Sequence, residues 1–167
     1  MFKLKTLAAV LLAAALSLTA AQAKTLKVPN DEFAIASIDL PDEWEQEEVT
    51  NGVAGTSDDG AVYLSVVAVG NEKGMDAEID DTFEMLKDHK VELDQASKKE
   101  NKFKINGLDA EEMLFQGKDE DGPAAVSITF VTIKDKLVVL TYWVSTEEEK
   151  KHQGEVTKIV KSLKPTA

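Results

Sequence analysis

Residues 126–144 read VSITFVTIKDKLVVLTYWV, and this stretch decides the architecture. Val126–Ile133 and Leu137–Val144 are apolar at nearly every position and rich in the β-branched and aromatic residues that favour strands. Only Lys134-Asp135-Lys136 separates them, and so short a link demands antiparallel pairing. A strand that is apolar on both parities is covered on both faces. These two strands are therefore expected in the middle of a sheet, with cover above and below.

The pattern continues outward. Ala61–Val69 sends Val62, Leu64, Val66 and Ala68 one way and Tyr63, Val67 and Val69 the other, so it too reads as a strand covered twice. Trp44–Val49 and Val53–Ser57 flank Asn51-Gly52, a strong hairpin signal. Phe33–Leu40 reads as a strand stopped by Pro41, and Lys102–Ile105 alternates cleanly before the turn at Asn106-Gly107. Leu108–Gly117 carries Met113 and Phe115 on one face and Leu114 on the other, and Lys118–Pro123 is a polar turn.

Two segments have helical spacing instead. Over Asp76–Leu93, Ile79, Phe83 and Leu86 recur at that spacing, with Leu93 two turns on. Its acids come early and Lys87 and Lys90 late, as the helix dipole prefers. Over Glu147–Leu163, Thr146 and Glu149 make a capping-box pattern, and Val156, Ile159, Val160 and Leu163 make the buried stripe. The order strands, helix, strands, helix predicts an α+β protein: a three-layer α/β/α sandwich around a mainly antiparallel sheet.

The run Phe33-Ala34-Ile35-Ala36-Ser37-Ile38-Asp39-Leu40-Pro41-Asp42-Glu43-Trp44 resembles the opening of the PsbP-like family, with a strand, a Pro and then a Trp. Leu64-Ser65-Val66-Val67 falls where that family places a long central strand. Leu140-Thr141-Tyr142, the acidic start at Thr146, and the ending Ile159-Val160-Lys161-Ser162-Leu163 are similar as well. Glu43 stands where members often have Gly. The resemblance, nearest to small exported bacterial proteins of DcrB type, implies the same α/β/α sandwich. It also implies an accessory role in binding, assembly or stabilisation. No functional residue of the family maps onto this chain.

Met1–Ala23 reads as a cleavable signal peptide: Lys3 and Lys5, the apolar run Leu7–Leu18, then Ala21-Gln22-Ala23. That leaves residues 24–167 as a single domain, exported to a periplasm, with no stable membrane insertion once the signal is gone. The absence of Cys excludes an acylated lipoprotein, disulfides and thiol chemistry. The net charge is −12, and −14 without the signal, and there is no Arg. Such a chain repels nucleic acid; the plain reading of its charge is solubility, and the sharper one a basic or cationic partner.

No motif for catalysis emerges. Gly55-Thr56-Ser57-Asp58-Asp59-Gly60 lacks the Lys-Ser/Thr of a phosphate loop and the spacing of a hydrolase elbow, and reads as a turn. His89 and His152 are one to a helix, off the main apolar stripes, and read as solvated. Asp119, Glu120 and Asp121 are the best oxygen ligands for Ca or Mn, but the EF-hand pattern fails, and no other cofactor is implied. Trp44 could rim a partner interface, with core packing as the plainer role. Tyr142 and Trp143 face opposite ways. The expected function is that of a non-catalytic exported accessory protein that binds a protein partner. The alternative is a divalent-cation or small-ligand binder that uses its acidic loops.

Overall fold

A computed structural model describes residues 22–70 and 75–166 of the protein. Residues 1–21 of the expected signal lie outside them. The central hairpin pairs β8 (Pro123–Ile133) with β9 (Lys136–Ser145). Its two-residue loop has Lys134 at φ 49° and Asp135 at φ 64°, the left-handed pair whose twist matches flanking strands.

Outward from β9 come β5 (Val62–Val69), β4 (Gly52–Thr56) and β3 (Glu45–Val49). Outward from β8 come β7 (Leu108–Lys118) and β6 (Glu92–Ile105). The seven-stranded order β3-β4-β5-β9-β8-β7-β6 is antiparallel throughout and places 126–144 at its middle, as expected.

The two faces carry separate clusters. Val62, Leu64 and Val66 join Val138 and Leu140 and meet Val156, Ile159 and Leu163 at the second helix, α2 (Glu149–Ser162). Tyr63 and Val69 join Phe115, Ile128 and Trp143 and meet Leu86 of the first helix, α1 (Met75–Asp88). A second sheet, not anticipated, shares the α2 side: β1 (Ala23–Val28), β2 (Ala36–Pro41) and the two-residue β10 (Lys164–Pro165). Ile38 and Leu40 of β2 pack in the same cluster as Leu163.

Several boundaries differ from expectation. Helix α1 stops five residues before Leu93 because Lys90 turns left-handed at φ 60°. Val91 N–H then bonds Leu86 O and Lys90 N–H bonds Lys87 O, a Schellman closure. Leu93 lies on β6, which starts ten residues before Lys102 and bulges between Asp94 and Lys99. Inside the bulge the Ser97 hydroxyl donates to Asp94 O and accepts from Gln116 N–H, replacing ladder bonds.

Strand β2 starts late because Asn30 Oδ1 accepts from Glu32 and Phe33 N–H and holds a turn there. The capping box does not form. The Thr146 hydroxyl donates to Pro123 O, and Glu148 caps α2 without a side-chain bond.

Candidate functional site

Three places on this scaffold gather chemistry, and the largest is a cleft of about 550 Å³ between α1 and the sheet. Its floor is the outward parity of β5, with Tyr63, Ser65, Val67 and Val69, and one wall is the β3–β4 turn at Thr50-Asn51. Thr82, Met85 and His89 line it from α1 and the turn that follows. The Tyr63 ring stacks on Trp143 at 4.2 Å, and the His89 ring lies 5.0 Å from Tyr63 and 5.3 Å from Trp143. Burial first, and the nearby Glu47 charge second, push the Tyr63 phenol up to about 12, against the Ser65 hydrogen bond. Tyr63 is therefore a neutral hydrogen-bond donor at the cleft floor. Glu78 and Asp81 complete the rim.

The second place joins the tip of the β4–β5 hairpin to the start of α2. Asp59 Oδ1 accepts from the Ser57 hydroxyl at 2.8 Å and from Ala61 N–H at 3.2 Å. Asp59 Oδ2 lies 2.9 Å from His152 Nε2 and pairs with Lys151, which also reaches Glu148 at 3.1 Å. The Lys151 ammonium first, then the Ser57 hydroxyl, hold the Asp59 carboxyl well below the usual carboxylate range.

Ligand atoms of Asp59, Glu148 and His152 come within 4.8 Å of one another, a geometry that a metal could use. The Lys151 ammonium already bridges the two carboxylates and offsets one of their charges, so the set is built as an ion-pair lock. Nor is it a hydrolytic triad: the Ser57 hydroxyl donates to the carboxylate rather than to the imidazole. A nucleophilic serine needs its base within hydrogen-bond reach.

This lock yields a pH-dependent expectation. Asp59→Asn should lower stability by about 1–2 kcal/mol at pH 7, the scale of a charge-assisted hydrogen bond reduced by solvent screening at an exposed carboxylate. A depressed folded pKa contributes stability above the unfolded value of about 3.9, and that stability is lost as pH falls through the folded value. Melting temperatures of the two proteins should therefore differ at pH 7 and converge well below pH 4. An equal gap at all pH values would mean that the carboxylate charge plays no part.

The third place is a narrower groove of about 290 Å³ along α2, floored by Glu112, Thr129, Tyr142 and Val144. Burial, then the Glu112 and Glu149 charges, raise the Tyr142 phenol against the Ser127 hydrogen bond.

The residues singled out from sequence fall differently. Trp44 is 4% exposed and packs in the α2-side cluster, so it takes the core role and offers no rim to a partner. Asp119 Oδ1 is engaged by Asp121 and Gly122 N–H in its own turn, and Glu120 pairs with Lys90 at 2.7 Å. Among the described residues, the one group drawn together at ligand distances is Asp59, Glu148 and His152, not the 119–121 loop. Of the histidines, His89 is exposed but rests against two aromatic rings. The solvated reading of His152 is corrected, since it is buried at 7%. The signal was present: His152, Val156, Ile159 and Leu163 share one helical stripe.

The architecture also matches solved structures. A cyanobacterial PsbP, CyanoP from Synechocystis, superposes with a TM-score of 0.58 over 90% of this chain and 96% of its own, at 12% identity. The chain has the PsbP-like fold. A Bacteroides thetaiotaomicron protein also aligns, with a TM-score of 0.54 and 15% identity over 79% of this chain but only 45% of its own. No family model and no curated protein sequence matches the chain. At such identities the PsbP-like likeness is one of fold, and function is argued from the sites. Among the described residues no helix is long and apolar enough to cross a membrane.

Proposed function

We propose that this PsbP-like protein is an exported, non-catalytic accessory protein, and that the α1 cleft receives a segment of its protein partner. The observation that carries this reading is the cleft itself. Its size is that of a binding pocket, and its exposed surface is mostly apolar, with polar groups such as Tyr63, Asn51 and His89 set into floor and walls. The layering is read as α/β/α with the small sheet set beside α2, so α1 is the thinner cover and the sheet face beside it the accessible one.

Exposed acids flank that face: Glu47 on β3, and Asp76, Asp80 and Glu84 on α1. They favour a partner that brings an apolar anchor flanked by basic residues. Export rests on the reading of Met1–Ala23. A cation-binding role for the acidic loops is the lesser reading, since Asp119 and Glu120 already have partners within the chain.

The test is site-specific photo-crosslinking in cells, with the reactive side chain placed at Thr50 or Met85 in the cleft and, as control, at exposed Lys158 on α2. One dominant product from the cleft positions alone supports the reading. Equal capture from Lys158, or no product from either cleft position, removes it.

A further inference from the structure

The groove along α2 has a floor that burial alone does not explain. On β8 the face that carries Ile133 and Val131 into the core continues through Thr129 and Ser127. Both are shielded, at 4% and 0% exposure, where apolar residues would pack at no polar cost. Their side chains instead build towards one carboxylate. The Ser127 hydroxyl donates to Glu112 Oε1 at 2.8 Å and lies 3.4 Å from the Thr129 hydroxyl. Glu112 Oε2 accepts from the Asn101 amide at 3.1 Å. Glu112 is thus held in place by neutral donors.

Across the groove stands Glu149, in the first turn of α2. Glu112, Glu149 and Tyr142 all line this one groove, and both carboxylates raise the Tyr142 phenol. Neither Glu112 nor Glu149 pairs with a lysine among the described residues. Of the basic residues lining the groove, Lys104 pairs with Asp109, while Lys161 sits twelve residues along α2 from Glu149, about 18 Å at helical rise. His152 also lines the groove, but its ring nitrogens are engaged by Asp59 and Glu155. The rest of the lining includes Val144, Val156, Val160 and the partly exposed Phe103, with Gln153 and Thr157 as neutral polar groups along α2.

We propose that this groove binds a small organic cation, an ammonium group on an apolar body, with the charge between Glu112 and Glu149 beside Tyr142. The ammonium supplies the counter-charge that the two carboxylates lack, and its donors match their free lone pairs. The phenol ring offers its face to the same charge. The apolar body lies along Val144 and Val160. At about 290 Å³ the groove suits a ligand of modest size. This site is on the opposite side of the sheet from the α1 cleft and stands or falls independently of it.

The chain's two histidines report the two sites separately, since His152 lines the groove and His89 the α1 cleft. Imidazole resonances of the full-length protein are followed by NMR during titration with benzylamine, and with benzyl alcohol as the neutral counterpart. Saturable movement of His152 with the amine alone is expected, weakened roughly tenfold or more in Glu149→Gln and in Glu112→Gln. Glutamine at 112 keeps an acceptor for Ser127, and Glu149 is exposed, so Glu149→Gln alone suffices should the other variant lose its fold. Equal response to amine and alcohol, movement of His89 only, no response, or unchanged affinity in Glu149→Gln would overturn the proposal.

Discussion

Replacing Gly52 by alanine is expected to destabilise the protein by about 3 kcal/mol or more, at the upper end for a single methyl. A Cβ at this position would stand 2.1 Å from Val66 O and 2.8 Å from Val67 Cα. Both atoms are backbone in the neighbouring strand, so no side chain can swing aside. Relief requires β4 and β5 to part, and β5 is the strand that couples this hairpin to the sheet centre.

Gly154→Ala is the matched control. Nothing lies within 4 Å of its Cβ, and in mid-helix alanine should add about 0.5–1 kcal/mol. Urea titration followed by far-ultraviolet circular dichroism reads both variants. A Gly52→Ala midpoint within error of wild type would show that the strands separate freely, and that the hairpin is loosely held.

Trp44→Ala is expected to cost about 3–5 kcal/mol, the range for removing a large buried aromatic, against a typical total of about 5–15 kcal/mol. Trp44 is 4% exposed among Leu40, Val53 and their neighbours. Gly55 leaves room for its ring, since a Cβ there would lie 3.2 Å from it and 3.0 Å from the Leu40 side chain. The same titration, read by the fluorescence of the remaining Trp143, measures the loss. A loss under about 1 kcal/mol with reduced partner capture would instead restore Trp44 as an interface residue.

Much of the framework was legible because strands and turns are short-range patterns. The double-sided runs of β5, β8 and β9 announced central, twice-covered strands, and the sheet order places them there. The Asn-Gly at 106–107 turns a tight hairpin, with both residues at positive φ. At the other Asn-Gly the loop is Thr50-Asn51, while Gly52 already pairs in β4. That shift of one residue follows from the close approach to Val66, which local turn preference does not contain.

The misses have the same origin. β1 and β10 gain strand character only by flanking β2, and the first half of β6 only by pairing with β7 around a bulge. For Trp44, sequence left a rim position beside the plainer core role, and the packing against the Gly55 strand decides for the core.

By itself, then, the sequence determined the central strands and both helices, which strands are covered on both faces, and that the surface is acidic. Those properties depend on neighbours a few residues apart. Only the tertiary structure decided the chemistry of the surface. Asp59 meets His152 across 93 residues. Glu112 and Glu149 line one groove with Tyr142, from a strand and a helix that sequence does not place side by side. Such meetings depend on the order in which strands join the sheet and on which face each helix covers. No periodicity encodes either of these, because many orders bury the same apolar residues equally well.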